Sequence, residues 1–279
     1  MDVRVLQPND ETIARFIKHF YFFKSESKEF RQSYVTFPNL TTPLSLFSSV
    51  RFHISDDGRH ATCSHDRHAS RHAEIAGMFT HPIFVTYNGE IDEIAIVFHP
   101  LGLNQFIRHN YCEVAGRISQ TFNPYGGEFE RLLANIFQLP GAEQRREALE
   151  SFFLKHYVPF EDYTFSVALT LLTDFKEEMP VAQIASSVGV SHKTLTRMFQ
   201  RHLGATPVTF RKIARFRRSL ELVLCSTEGD SLTKSAHLSN YYDQAHFIKH
   251  YHQLTGEPPA SFFRHLTMMG GKDILWRLM

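Results

Sequence analysis

Acidic side chains are absent from residues 191–218, which hold eight basic ones: Lys193, Arg197, Arg201, Arg211, Lys212, Arg215, Arg217 and Arg218. A run of that kind has no internal counter-charge. It suits displacement of counterions from a phosphate backbone, and a solvated helix face is the competing reading. Cysteine is scarce: Cys63, Cys112 and Cys225 lie far apart, odd in number and without CxxC spacing. This excludes a disulfide framework and fits free thiols in a reducing compartment. No window approaches the roughly 18 uninterrupted apolar residues of a membrane span. The start MDVRVLQPNDETIARF places acids and a proline where a signal peptide needs a basic end and an apolar run. A cytoplasmic protein with no membrane partner is expected. Also missing are the GxSxG elbow, the GxxxxGK[ST] loop, the GxGxxG fingerprint and the HExxH helix. No catalytic residues and no cofactor are expected, and a nucleophile at Cys63 or Cys112 has no supporting feature.

What is present divides in two, since 279 residues exceed one ordinary core. The overall charge of +1 conceals a segregation. Residues 180–266 carry 11 Lys and Arg against 5 Asp and Glu, and the remainder carries 19 against 24. Residues 20–99 are rich in Phe, Thr, Val and Ser with short alternations such as SYVTF and EIAIVFHP, the pattern of strands. Asn88-Gly89, between two apolar runs, predicts a hairpin turn. Helical spacing follows at Leu103, Phe106 and Ile107, then at Phe129, Leu132, Leu133, Ile136 and Phe137, and again over 142–157 after Pro140-Gly141. From about 162 to 266 only helical patterns occur. The expected fold is therefore α+β in two domains. A β-rich amino-terminal domain with closing helices spans 1–158, and an all-α domain spans 159–279.

A repeat carries the functional signal. Residues 181–207, VAQIASSVGVSHKTLTRMFQRHLGATP, and 232–259, LTKSAHLSNYYDQAHFIKHYHQLTGEPP, are copies of one unit. Ala185 aligns with Ala236, Ser191 with Asp243, Leu195 with Phe247, Phe199 with Tyr251, Gly204 with Gly256 and Pro207 with Pro259. The small alanines let a second helix cross closely, and Gly189 and Asn240 suit a left-handed turn. Ser191 and Asp243 are N-caps, so the next helices should start at His192 and Gln244. With Leu195, Phe199, Phe247 and Tyr251 facing the core, the outward positions become Lys193, Thr196, Arg197 and Gln200 in one copy and Gln244, Ala245, Ile248 and Lys249 in the other. Arg197, whose planar fork can bond a guanine edge twice, is the best base reader. Thr206 and Pro207 open one long connecting helix through PVTFRKIARFRRSLELVLC. Such a rod would hold two recognition helices about one DNA turn apart. Its Arg211, Lys212 and Arg215 can meet phosphate or stay solvated.

At SHKTLTRMFQ, GATP, the connecting helix with Arg215, YYDQAHF and LTGEPP, the chain resembles the DNA-binding domain of the AraC/XylS family of bacterial transcription regulators, over about 100 residues. Asn240, in place of the usual Gly, and Pro258, in place of a capping Ser or Thr, depart from the family pattern. The resemblance implies a double helix-turn-helix domain on double-stranded operator DNA. Its contact residues would be Ser191, Lys193, Thr196, Arg197, Gln200, Arg201, Arg215, Gln244, Ala245, Ile248 and Lys249. It also implies an amino-terminal domain, often a cupin-type β-barrel, that senses a small-molecule effector or forms a homodimer. RNA polymerase is a further expected partner at a promoter.

Dimerisation is expected through the aromatic faces of the helices at 128–138 or 142–157, against the simpler reading that those faces pack internally. The cluster His60, Cys63, His65, His68 and His72 raises metal binding, but it lacks paired-ligand spacing and reads better as an exposed polar loop. The rival to a regulator is an interaction or ligand-binding protein whose helical domain has lost specific DNA binding.

Overall fold

The computed structural model describes residues 2–224, 241, 243–264, 267–268 and 275–279. Ten strands come from the first part of the chain: β1 (Asp2–Leu6), β2 (Ile17–Ser25), β3 (Arg31–Thr36), β4 (Thr42–Ser48), β5 (Val50–Ile54), β6 (His60–His65), β7 (His72–Ile75), β8 (Ile83–Asn88), β9 (Ile91–Phe98) and β10 (Gln120–Thr121). Two more, β11 (Thr267–Met268) and β12 (Leu275–Leu278), come from the other end. They form two six-stranded sheets, β1-β2-β9-β4-β7-β10 and β11-β12-β3-β8-β6-β5. Among the described strands pairing is antiparallel except between β6 and β8.

Strand β2 explains the layering. Its run Phe20-Tyr21-Phe22-Phe23 is buried throughout, because the strand is covered on both faces. Phe20 and Phe22 pack with Leu103, Phe106, Phe129 and Phe153 on the helical side, while Tyr21 and Phe23 join Tyr34, Val85 and Tyr87 between the sheets. Side chains alternate faces along a strand, so one segment serves two cores.

Three local expectations are corrected. Asn88-Gly89 turns the chain, but β8 and β9 do not form a hairpin. β8 is flanked by β3 and β6, and β9 by β2 and β4, so the turn crosses between sheets. A dipeptide sets a reversal, whereas pairing depends on which strand edges remain available. The helical spacing at Leu103, Phe106 and Ile107 resolves to a single 3₁₀ turn, Leu103–Gln105, enough to bury those residues. The histidine-rich segment is partly strand rather than loop. In β6 Ala61 and Cys63 point inward and leave His60 and His65 exposed, a period of two that polar composition masked.

Helices α1 (Glu11–Ala14), α2 (Tyr111–Ala115), α3 (Gly127–Ile136) and α4 (Ala142–Lys155) complete the amino-terminal region. The aromatic faces proposed for dimer contact are internal: Phe129 and Phe153 are fully buried and Phe152 nearly so. Then come α5 (Tyr163–Thr173), α6 (Val181–Ser187), α7 (His192–Leu203), α8 (Pro207–Leu224), α9 (Gln244–Thr255) and α10 (Pro259–Arg264). Leu195 and Phe199 pack with Phe165, Ile184 and Ala185, and Phe247 and Tyr251 pack with Phe216, Leu220 and Phe262. Each such buried side chain contributes about 1.5–3 kcal/mol. Ala236, Asn240 and Cys225 lie outside the described residues.

The helical region is fastened to the sandwich. Val35 and Phe37 join the core of the second motif, and Leu40, Met78 and Leu101 pack on that of the first. The chain end returns as β12 beside β3, where the Met279 amide donates to the Ser33 carbonyl at 3.0 Å. Arg277, on the same strand, pairs with Glu257 just after α9.

Candidate nucleic-acid interface and sandwich cavity

In the first motif the turn between α6 and α7 uses Gly189 at φ 74°, and Ser191 Oγ accepts from the Thr194 amide at 3.1 Å. The cap starts α7 at His192, as the spacing requires. Lys193, Arg197 and Gln200 are exposed, and Thr196 is half-buried with its hydroxyl donating to the His192 carbonyl at 3.0 Å. Arg201 is exposed too, but its Nε donates to Asn110 Oδ1 at 2.5 Å beside α2. The front of α7 is open, and its last turn is docked on the amino-terminal region.

The second motif repeats the device. Asp243 Oδ1 accepts from the His246 amide at 2.7 Å, and α9 begins at Gln244. Gln244, Ala245, Ile248 and Lys249 are exposed, with Ile248 at 42%. On the inner side the Tyr241 hydroxyl lies 2.9 Å from His250 Nδ1. Burial, then the charges of Lys212, His246 and Arg215, lower the His250 pKa to about 3.

Helix α8 separates the basic residues by face. Thr206 Oγ1 caps it through the Thr209 amide at 3.1 Å. Lys212 Nζ donates to Gln253 Oε1 at 2.6 Å, bridging α8 to α9, and Arg211 Nε donates to the Leu172 carbonyl at 3.2 Å. Arg215 pairs with Glu178 and lies 5.8 Å from the ring centroids of Phe175 and Tyr241. It points inward and is not part of the exposed row. A groove between the motifs is lined by Arg211, Lys212, Arg215, His246 and Lys249.

Sequence reasoning missed Arg217. From α8 it reaches the sandwich, donating through Nε to the Pro38 carbonyl at 2.6 Å and through Nη2 to the Phe37 carbonyl at 2.7 Å. Burial pulls its pKa down to about 10, which leaves it charged at neutral pH, and charge-assisted hydrogen bonds to carbonyls offset its desolvation. Its spacing of i+4 from Ile213 and i−3 from Leu220 puts it, with Phe216, on the inward side of α8, the signal that was available in the sequence.

Arg217 also borders a cavity of about 210 Å³ between the sheets, far larger than the roughly 30 Å³ of one water. Most of its wall is apolar, with Phe47, Phe52, Ile83 and Val85 among the contributors. Its polar centre is Glu93, which accepts from the Tyr87 hydroxyl and from the Ser45 side chain. Burial holds the Glu93 carboxyl above its usual range. An acid inside the run IDEIAIVF was the available sequence signal. Among the described residues no group of His, Cys, Asp and Glu is placed to hold a metal, and no helix is long and apolar enough to cross a membrane.

Two capped helices, each with one face exposed and the other buried, and both packed against α8, have the arrangement of recognition helices, while the rest of the second motif at 225–240 lies outside the described residues. Residues 184–265 match the family model of a helix-turn-helix domain. Residues 5–119 match a domain of unknown function (DUF6597). The chain is 30% identical over 95 residues to the uncharacterized HTH-type transcriptional regulator YidL of Escherichia coli (strain K12), a match covering 34% of this chain and 31% of that protein. It thus spans about a third of the curated relative it matches. Solved structures of ToxT from Vibrio cholerae align at 10% identity. One covers 88% of this chain and 97% of its own, with a TM-score of 0.47. Another, described as unsaturated fatty acid bound wild-type ToxT, covers 86% and 94%, with a TM-score of 0.45.

Proposed function

We propose that the protein is a sequence-specific DNA-binding transcription regulator. Residues 159–279 supply most of the DNA-binding unit and residues 1–158 an effector-binding unit. The observation that carries this reading is the pairing of capped helices α7 and α9, whose exposed faces hold Lys193, Arg197, Gln200, Gln244 and Lys249 while their opposite faces are buried. Such helices enter successive major grooves, with base edges met near the helix start. Strand β3 is the proposed link to an effector. Tyr34 and Thr36 line the cavity, and Val35 between them packs with Phe216 and Tyr251. A ligand that shifts β3 therefore presses on the helix joining the motifs. Titration of the full chain onto DNA selected from a randomised library tests the assignment. Affinity should fall steeply and log-linearly with salt and exceed that for scrambled DNA by at least about a thousandfold. Weak, sequence-indifferent binding at low salt would instead support an interaction module.

A further inference from the structure

The cavity holds a buried carboxyl group with no cation paired to it among the described residues. Glu93 is 4% exposed, its partners are the hydroxyls of Tyr87 and Ser45, and among the described residues it forms no ion pair with Lys, Arg or His. The hydroxyl chain is directional. Tyr87 donates to Glu93, so across the 3.2 Å between the two phenols Tyr34 must donate to Tyr87. Both dipoles point at the carboxyl group and favour its ionised form, against the larger effect of burial, which raises its pKa. Aromatic rings cluster about its partner Tyr87: Phe23 and Tyr34 lie 4.7 Å and 5.6 Å from it between ring centroids, and Tyr21 and Tyr34 line the same cavity. Glu74 adds a second acid to the lining, held by Ser119 and Thr121. The basic lining residues are Lys18 and His19 near the start of β2 and Arg217 of α8. Glu93 is opposite Phe23 on β2, whereas Lys18 lies five residues earlier on that strand, about 16 Å away along it. Arg217 is at the end of the cavity where β3 leads into Phe37.

We propose that this cavity takes an elongated, mostly apolar ligand bearing a basic nitrogen, an alkyl- or arylammonium, with the nitrogen seated on Glu93 and against the faces of Tyr21, Tyr34 and Tyr87. An ammonium supplies the counter-charge that holds Glu93 ionised against burial and is attracted by aromatic faces. The apolar tail packs against Phe47, Phe52, Ile83 and Val85, which line the same cavity. The proposal rests on the cavity being the effector site, and the test separates the two.

Calorimetric titration of the full chain near neutral pH would use hexyl, octyl and decyl chains, each carrying an ammonium, a carboxylate or a hydroxyl head. The ammonium of the best-fitting length should bind at least about tenfold tighter than its carboxylate and alcohol counterparts. Glu93→Gln should remove that preference and leave alcohol binding unchanged. Equal or tighter binding of the carboxylate or alcohol would overturn the amine class and leave the cavity as an effector site. Absence of binding by every probe would overturn the proposal together with the effector reading, while the salt-dependence experiment still judges DNA binding. The head-group comparison on the unmodified protein decides the matter even if Glu93→Gln does not fold.

Discussion

Helices α7 and α9 begin at caps of the same kind and end at glycines of the same kind, Gly204 at φ 69° and Gly256 at φ 82°, yet they offer different chemistry to a partner. The first presents two cationic side chains and Gln200 at its open end and anchors its last turn through Arg201 to Asn110. The second presents one cation beside Ala245 and Ile248, and its inner side packs on a core that includes β3. A duplicated scaffold preserves what positions a helix, namely cap, buried pair and closing glycine. It leaves the outward positions to diverge because they bear no packing constraint. On donor count we propose that α7 mainly reads bases and α9 mainly provides placement.

The largest effect should come from breaking the scaffold of one motif. Phe199→Ala removes a fully buried ring and should lower stability by about 3–5 kcal/mol in denaturant unfolding. A loss below about 1 kcal/mol would mean that the first motif does not depend on this core. Next, Arg197→Ala should weaken binding to the preferred site by about 1–3 kcal/mol and relax preference at one or two base pairs of a randomised-site library. An unchanged base preference would remove α7 from its reading role.

The pH dependence isolates the second motif. His250 ionises near 6.5 when unfolded and near 3 in the fold. The unfolded chain therefore takes up the proton first, and stability is lost as pH falls from about 6.5 toward about 3. Unfolding midpoints measured across that window should decline less steeply in His250→Gln than in the native chain. Parallel curves would contradict a neutral, buried His250. The smallest effect is expected from Lys249→Ala, which should weaken all DNA sequences about equally and reduce the salt slope by about one. Should Lys249→Ala cost more specificity than Arg197→Ala, the ranking of the two helices is reversed.

Periodicity and caps are properties of short segments, so the sequence alone determined the helix starts at His192 and Gln244, the opening of α8 at Thr206-Pro207, and the outward positions of both motifs. The β-rich character of residues 20–99 was legible for the same reason. Tertiary structure decided what depends on distant partners. The Asn88-Gly89 turn joins two sheets because the strand edges on either side are occupied by β2, β3, β4 and β6. The aromatic faces of α3 and α4 close their own core because β2 and β9 present apolar side chains to them. Arg215 and Arg217 face Glu178 and the carbonyls of Phe37 and Pro38, partners that lie far off in the chain, because α8 is packed on both sides. Glu93 acquired its aromatic chamber only when β3, β8 and β9 met across the sandwich, since burial and charge environment depend on neighbours in space rather than in the chain.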